Sequence, residues 1–156
     1  MDKKGKIWQN RYMEKVVLGG TFDILHQGHR ALLKKAFSFG DITIGLTSDK
    51  MAKRLKRRKI RSFLQRKKEL GNFIKKEFSK KAEIIKIEDK FGPALKEDFD
   101  YIVVSPATYK TAVLINKKRR QKNKKIIRII EIKMVLDKKR KPLSSTRLWQ
   151  KKKVGQ

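Results

Sequence analysis

The pattern of apolar and polar residues near the start of the chain predicts a strand, a glycine turn and a helix. A short apolar run from Lys15 to Leu18 ends at Gly19 and Gly20, as is typical of a buried strand followed by a tight turn. Helical spacing follows and stops at Gly40. The apolar face predicted for this helix consists of Ala31, Leu32, Ala36 and Phe39. The segment "DITIGLTS" then predicts a second strand, and the resulting βαβ unit favours parallel pairing.

The rest of the chain continues the alternation of strands and helices. Ser62 and Gln65 have the spacing of a capping box at the start of a helix. The predicted strands are "AEIIKI", "YIVVS" and "IIRIIEIKMV", the predicted helices are "SFLQRKKELGNFIKKEF" and "YKTAVLINKKRRQ", and Ser144 or Ser145 would cap a last helix. The pattern therefore predicts a doubly wound, Rossmann-like α/β domain of about five parallel strands over residues 15–156, after a loose polar tail over residues 1–14.

The composition limits the classes of protein that this chain can be. A length of 156 residues with 38% hydrophobic residues is enough for one domain with a core. The chain has no long apolar run, so we expect no membrane span, and its polar N-terminal segment does not resemble a secretion signal. We therefore predict a cytoplasmic protein. The absence of cysteine excludes disulfides, thiolate metal sites and cysteine nucleophiles.

The net charge of +29 indicates either a polyanionic partner or a lysine-rich solvated surface. The basic residues are spread along the chain, with runs from Lys50 to Arg61 and from Lys117 to Lys125, and aromatic residues are sparse among them. This distribution favours the solvated surface, with only nonspecific electrostatic binding of nucleic acid. A nucleic-acid-binding protein nevertheless remains the alternative from a different class.

The segment "GGTFDILHQGH" places candidate chemistry directly after the first strand. Ligands of parallel sheets bind at the carboxyl ends of strands, where the amides of the following helix can meet an anion. Gly20 permits a close approach of the backbone, Thr21 supplies a hydroxyl, and the amides around Thr21 and Phe22 can donate to phosphate oxygens. His26 and His29, the two histidines of the chain, would face the same ligand. These residues predict a phosphate-binding site.

The histidine pair has two other interpretations. A zinc site would need a carboxylate as its third protein ligand, because the chain has no cysteine and no further histidine. The two rings could also be ordinary residues on a helix surface. The combination of a strand, two glycines, a hydroxyl and two imidazoles favours the phosphate site instead, and we expect Asp23 to orient the loop rather than to bind a metal.

Two segments resemble known protein families. Residues Gly20 to His29 match the G-T-F-D-x-x-H-x-G-H signature of the nucleotidyltransferase superfamily at every specified position. Residues Lys141 to Arg147 resemble the P-I-S-S-T-R-I segment of the archaeal phosphopantetheine adenylyltransferases, whereas cytidylyltransferases and FAD synthetases favour a G-x-S-T-T type of segment. The chain departs from the archaeal pattern at Ala107, where an acidic residue is usual, and at Leu148, which replaces isoleucine.

The resemblance implies the transfer of AMP from ATP to 4'-phosphopantetheine, which yields dephospho-coenzyme A and pyrophosphate. It also implies Mg²⁺, which accompanies the triphosphate of ATP, and a cytidylyltransferase or FAD synthetase-like enzyme of the same fold is the alternative. Phosphoryl-type transfer relies mainly on positioning and on stabilisation of negative charge, and imidazoles, a lysine and backbone amides can provide both.

The resemblance also assigns candidate residues. The candidate catalytic residues are His29, His26 and Lys56, with Lys53 as the second choice of lysine. The candidate ATP-binding residues are Gly20, Thr21, Phe22, His26, His29, Ser105, Tyr109, Ser144, Ser145, Thr146 and Arg147, and Asn116 falls in the region that faces the nucleoside. The candidate contacts of 4'-phosphopantetheine are Thr21, Lys56 and Arg66.

Overall fold

The computed structural model describes residues 13–56 and 58–133, which form one parallel sheet with helices on both faces. The strands are β1 (Lys15–Gly20), β2 (Asp41–Thr47), β3 (Glu83–Ile87), β4 (Tyr101–Val104) and β5 (Arg128–Glu131). The helices are α1 (Gln27–Phe37), α2 (Asp49–Leu55), α3 (Phe63–Phe78) and α4 (Tyr109–Gln121), and a 3₁₀ helix covers Gly92–Leu95. The prediction of a doubly wound α/β fold is confirmed.

The order of the strands creates a crevice at the middle of the sheet. The order is β3-β2-β1-β4-β5, and every neighbouring pair is parallel. The chain thus builds outward from β1 to β3 on one side and then returns to place β4 and β5 on the other. In such sheets ligands bind where the direction of building reverses, outside the carboxyl ends of the strands. Here that point lies between β1 and β4.

The alternation of side chains along β1 gives each face of the sheet its own core. Val16 and Leu18 pack with α1 and α3 on one face, in a cluster that contains Leu33 and Leu70. Val17 points to the opposite face and packs in a cluster with residues of β4 and α4. Because both faces are covered, the strands are apolar at successive positions, as is usual for a buried parallel sheet.

Several local predictions needed correction. Gly19 and Gly20 continue strand β1 instead of forming a turn. The most buried residues of α1 are Leu33 and Ala36, so the predicted face was wrong in omitting Leu33, and Phe39 packs on the core from beyond the end of the helix. The fifth strand covers Arg128–Glu131, whereas the segment predicted for it covers residues 126–135. Ser62 caps α3 as predicted, because its hydroxyl accepts a hydrogen bond from the Gln65 amide at 3.2 Å.

Helix α2 was not predicted, because its residues belong to the basic run that begins at Lys50. Ser48 caps it, with its Oγ accepting from the Met51 amide at 3.1 Å. Its buried residues are Met51 and Ala52.

In residues 13–56 and 58–133, no helix is both long and apolar enough to cross a membrane. The predicted last helix and most of the predicted tail lie outside these ranges.

Candidate active site

The candidate site residues gather at the carboxyl ends of three neighbouring strands. Thr21 follows β1, and Thr47 ends β2 next to it because Gly20 pairs with Leu46. On the other side, Val17 of β1 pairs with Ile102 of β4, and Ser105 follows the carboxyl end of β4. The loop after β1 therefore lies at the crevice that the strand order creates.

The two histidines form a reciprocal cap at the start of α1. His26 is the N-cap residue, and its Nδ1 accepts a hydrogen bond from the Gly28 amide at 3.0 Å. His29 is the third residue of the helix, and its Nδ1 accepts from the His26 amide at 3.2 Å. Both bonds satisfy amides that a helix start would otherwise leave without a partner. The centroids of the two rings lie 3.9 Å apart.

Two glycines make room for the rings of this loop. A Cβ atom on Gly28 would lie 2.7 Å from the Cε1 atom of His26, so a side chain there would push the capping ring away. A Cβ atom on Gly20 would lie 2.8 Å from the ring of Phe22. Phe22 folds back with a positive φ of 48° and is only 3% exposed. The spacing of the signature is thus a packing requirement as well as a chemical one.

The caps also determine which ring nitrogen of each histidine carries the proton. Each Nδ1 accepts a hydrogen bond from an amide, so it must keep its lone pair and cannot carry hydrogen. A neutral imidazole has one proton, which therefore belongs to Nε2 in both His26 and His29. Each ring thus offers an N–H donor, the group needed to bind a phosphate oxygen.

The surroundings of the rings keep them neutral. Burial, together with the nearby His26 ring and the charge of Lys56, lowers the pKa of His29 to about 3. Burial also lowers the pKa of His26 below its usual range. Without a bound anion, both rings are therefore hydrogen-bond donors at neutral pH rather than fixed cations or general acids.

Lys56 is the lysine of the basic run that comes near these rings. It is the C-cap residue of α2 and half-buried, and its charge contributes to the low pKa of His29. Lys53 is exposed on the last turn of the same helix. The structure thus favours Lys56 over Lys53 by position, while a catalytic role for Lys56 stays a prediction.

Asp23 connects the loop after β1 to the segment that follows α2. Its carboxylate accepts hydrogen bonds from Arg58 Nη1 at 2.5 Å, from Arg61 Nε at 3.1 Å and from the Arg61 amide at 3.3 Å. Burial alone would raise the pKa of Asp23, but its bonds to Arg58 and Arg61 outweigh burial and lower it. The side chains of Asp23 and Arg58 are 3% and 5% exposed. The composition suggested that the whole basic run is solvated surface, but the side chain of Arg58 is buried in an ion pair with Asp23.

Arg66 was expected either on the helix surface or against a phosphate; its burial excludes the helix surface, and a phosphate contact stays a prediction. Its side chain is fully buried and bonds to protein atoms. The Nη1 atom donates to the Thr21 carbonyl at 3.1 Å and to Thr47 Oγ1 at 3.2 Å. Thr47 Oγ1 in turn lies 3.0 Å from Thr21 Oγ1. Arg66 therefore contacts the candidate site by its bonds to Thr21 and Thr47. Thr47 was not among the residues predicted from the sequence.

Asn116, which falls in the region predicted to face the nucleoside, bonds to the backbone at both ends of its side chain, and a nucleoside contact stays a prediction. Its side-chain amide donates to the Ile127 carbonyl at 2.7 Å, and its carbonyl accepts from the Ile127 amide at 2.8 Å. Both ends of the side chain are thus used to hold α4 to the residue before β5. Ser105 follows the carboxyl end of β4, and Tyr109 is the first residue of α4. Ser144, Ser145, Thr146 and Arg147 lie outside the described residues.

The described residues do not build a metal site. Among residues 13–56 and 58–133, no group of three or more histidine, aspartate or glutamate side chains is placed to hold a metal ion. Asp23, the carboxylate of the signature, is engaged by two arginines. The donor set of this part of the chain therefore does not fit a resident Mg²⁺.

The parallel sheet and the loop after β1, with its hydroxyl and its two neutral imidazoles, are typical of a nucleotidyltransferase fold. Comparison with known families agrees. Residues 17–151 match the family described as cytidylyltransferase-like. The chain belongs to this family. The crystal structure of an Archaeoglobus fulgidus protein of unknown function is similar to it, with a TM-score of 0.74 and 38% identity, over 83% of this chain and 99% of the other.

The relatives of similar sequence carry a more specific name. A phosphopantetheine adenylyltransferase of Archaeoglobus fulgidus is 42% identical over 136 residues, which are 86% of this chain and 91% of that protein. A phosphopantetheine adenylyltransferase of Methanosarcina mazei is 42% identical over 141 residues, with 87% and 90% covered. The resemblance inferred from the sequence is thereby confirmed over most of the chain.

Proposed function

We propose that the protein is a phosphopantetheine adenylyltransferase, which transfers AMP from ATP to 4'-phosphopantetheine in the synthesis of coenzyme A. The proposal rests above all on the similarity to enzymes of that name over 86% or more of this chain. The loop after β1 supports it physically, because its two neutral imidazoles offer N–H donors where the fold binds anions.

The proposed reaction needs charge stabilisation more than it needs a base. An oxygen of the acceptor phosphate, already a nucleophile, attacks the α-phosphorus of ATP. The bond from that phosphorus to the oxygen that bridges to the β-phosphorus breaks, and pyrophosphate leaves with the electron pair. Negative charge builds on the oxygens of the α-phosphate during this exchange. Donors held in place at those oxygens lower the barrier, because they need no reorganisation as the charge develops.

We assign roles to the residues that the structure brings together. The Nε2–H groups of His26 and His29 donate to the ATP phosphates, with His29 nearest the reacting phosphorus. The Lys56 ammonium adds a positive charge near His29, and Thr21 bonds the acceptor phosphate through its hydroxyl. A bound phosphate would favour the charged form of the rings, so their pKa values are expected to rise when ATP binds.

Further roles are proposed for the backbone amides and for the residues after β4. The amides around Gly20, Thr21 and Phe22 are proposed to bind phosphate oxygens, and Ser105 and Tyr109 to face the nucleoside. Mg²⁺ is proposed to arrive with the triphosphate rather than to reside on the protein. A cytoplasmic location stays a prediction.

The alternative within the same family is an enzyme that uses CTP. The family is described as cytidylyltransferase-like, but relatives with 39% to 43% identity are named phosphopantetheine adenylyltransferases. That difference favours ATP and 4'-phosphopantetheine as the substrates.

The test is the exchange of labelled pyrophosphate into nucleoside triphosphate by the purified protein. With dephospho-coenzyme A present, we expect label to enter ATP, and we expect 4'-phosphopantetheine plus ATP to yield dephospho-coenzyme A. CTP in place of ATP should give no product. Product formation with CTP alone would contradict the proposal and would favour a cytidylyltransferase.

A further inference from the structure

We propose that Arg66 and Thr47 are positioning residues that fix the Thr21 hydroxyl as a hydrogen-bond donor toward the acceptor phosphate. The inference rests on the proposed function, since it takes the phosphate of 4'-phosphopantetheine as the group that Thr21 contacts. Neither Arg66 nor Thr47 needs to touch a substrate for this role.

Three side chains form a continuous hydrogen-bonded relay from α3 to the loop after β1. Arg66 Nη1 lies 3.2 Å from Thr47 Oγ1, and Thr47 Oγ1 lies 3.0 Å from Thr21 Oγ1. Arg66 is 0% exposed and Thr47 is 2% exposed, whereas Thr21 is half-buried. The relay therefore leads from the interior of the protein to the carboxyl edge of the sheet, where the ligand is expected.

The direction of the relay follows from what each group can donate. A guanidinium has only donors, so Thr47 Oγ1 accepts from Arg66. A phosphate dianion has only acceptors, so Thr21 must turn its single proton toward a bound phosphate. Thr21 Oγ1 then accepts a hydrogen bond from the Thr47 hydroxyl, whose proton is still available. With phosphate bound, the arrangement that satisfies all three bonds runs from Arg66 to Thr47, to Thr21 and to the phosphate.

The guanidinium of Arg66 is held firmly enough to impose this direction. Its Nε donates to the Arg61 carbonyl at 2.8 Å, and its Nη2 donates to Asp49 Oδ1 at 3.1 Å. The same Nη1 that bonds Thr47 also bonds the Thr21 carbonyl at 3.1 Å. Arg66 thus fixes the backbone of Thr21 directly and its hydroxyl through Thr47. A charged donor at the start of a buried chain also strengthens the bonds that follow it.

A double-mutant cycle separates this role from simple support of the fold. Thr47→Val removes the hydroxyl with little change of shape and leaves the other bonds of Arg66 in place. Thr47→Ser keeps the hydroxyl. The matched control is Thr43→Val, the same substitution four residues earlier on the same face of β2. Each change is made alone and in a Thr21→Val background, and kcat and KM for both substrates are measured through the formation of dephospho-coenzyme A.

In the presence of the Thr21 hydroxyl, we expect Thr47→Val to lower kcat/KM for 4'-phosphopantetheine by roughly tenfold, while KM for ATP changes less than about twofold. Thr47→Ser and Thr43→Val should both resemble the unsubstituted protein. In the Thr21→Val background, Thr47→Val should have no further effect, because the group that it positions is already gone.

An equal loss in both backgrounds, or no loss in either, would overturn the relay. If the valine variant does not fold, Thr47→Cys replaces it. Its thiol is a weak donor and should cause a smaller loss with the same dependence on Thr21, and a loss independent of Thr21 would again overturn the relay. An unsubstituted protein that makes no dephospho-coenzyme A would contradict the proposed function, and the relay would be overturned with it. An active protein without the dependence contradicts the relay alone.

Discussion

Each ring of the histidine pair has one structural atom and one atom left for chemistry. The Nδ1 atoms of His26 and His29 cap α1, and this use places the proton of each neutral ring on Nε2. The spacing of the signature follows from helix geometry, because the first histidine is the N-cap, the glycine leaves room for its ring, and the second histidine closes the cap. Fold and chemistry therefore share the same residues.

The two nitrogens of His29 can be tested separately with isosteres. Asparagine can place a carbonyl oxygen near the Nδ1 position and so keep the cap, but it has no group at Nε2. Glutamine can place an N–H donor near the Nε2 position, or it can turn back to the His26 amide as glutamine does in a capping box. We expect His29→Asn to lower kcat by roughly 10²- to 10³-fold and His29→Gln to retain more activity, with little change in thermal stability in either variant. The measurements are steady-state kinetics and thermal unfolding of each variant.

An asparagine variant with full activity would show that the ring is needed only as a cap. In that case His29 would have no part in binding phosphate, and the mechanism would have to rely on Lys56 and the backbone amides.

The low pKa of His29 also predicts how stability depends on pH. The folded protein keeps this ring neutral down to about pH 3, whereas the unfolded chain protonates it below about pH 6.5. Between these values the unfolded state binds more protons, so the free energy of unfolding falls as the pH is lowered. From pH 7 to pH 5 we expect His29 to account for a loss of about 1 to 2 kcal/mol. Urea unfolding at both pH values measures it.

The matched variant for this measurement is again His29→Asn, which keeps the cap but cannot titrate. Its stability should fall less between pH 7 and pH 5, with His26 responsible for part of the remaining slope. Asp23 has a lowered pKa and loses its contribution only at lower pH, so it does not interfere in this range. An identical slope in both proteins would contradict the burial of His29.

At the scale of elements, the strands and long helices were predictable from the sequence, whereas α2 was not. Apolar spacing identifies an element when it buries several side chains, as Leu70 and Ile74 show for α3. Helix α2 buries only Met51 and Ala52, and its other residues continue the basic run. A charge pattern gives no sign of so short a helix. Helix α2 matters for the proposed mechanism because its end brings Lys56 near His29.

The end of α2 offers a matched pair of lysines for a test. Lys56→Ala should lower kcat by roughly 10²-fold, because a positive charge close to the reacting phosphates is lost. Lys53→Ala, an exposed change on the same helix, should leave kcat within about twofold. Steady-state kinetics at saturating substrates gives both values. A large effect of Lys53→Ala with none of Lys56→Ala would exchange their assigned roles.

At the scale of the whole molecule, the sequence predicted the sheet and the loop of the site but misjudged several polar residues. Whether a polar side chain is exposed or consumed by the backbone depends on contacts that are distant in sequence. Arg119 belongs to a basic run, yet it is 1% exposed and donates to the carbonyls of Ala94 and Glu97. The burial of Arg66 and the backbone contacts of Asn116 depend on distant residues in the same way. The histidine loop was predictable because all of its parts lie within ten residues.

The net charge of +29 should produce binding to nucleic acid that is weak and indifferent to sequence. We expect affinities for unrelated RNAs to be similar at 50 mM salt and to fall by roughly 10²- to 10³-fold at 200 mM, because binding of this kind depends on counterion release. Fluorescence anisotropy with two RNAs of equal length and different sequence measures this. Binding that keeps a sequence preference at 200 mM salt would instead favour a dedicated nucleic-acid function.

In the proposed mechanism, a phosphate of ATP accepts hydrogen bonds from the Nε2–H groups of both histidines. Because the chain contains two histidines, ¹⁵N NMR of protein labelled at histidine reports on these rings without interference. We expect each ring of the free protein at pH 7 to be neutral with its proton on Nε2, and addition of ATP to shift both Nε2 resonances. Protons on Nδ1, or rings whose spectra do not change when ATP saturates the protein, would contradict the claim.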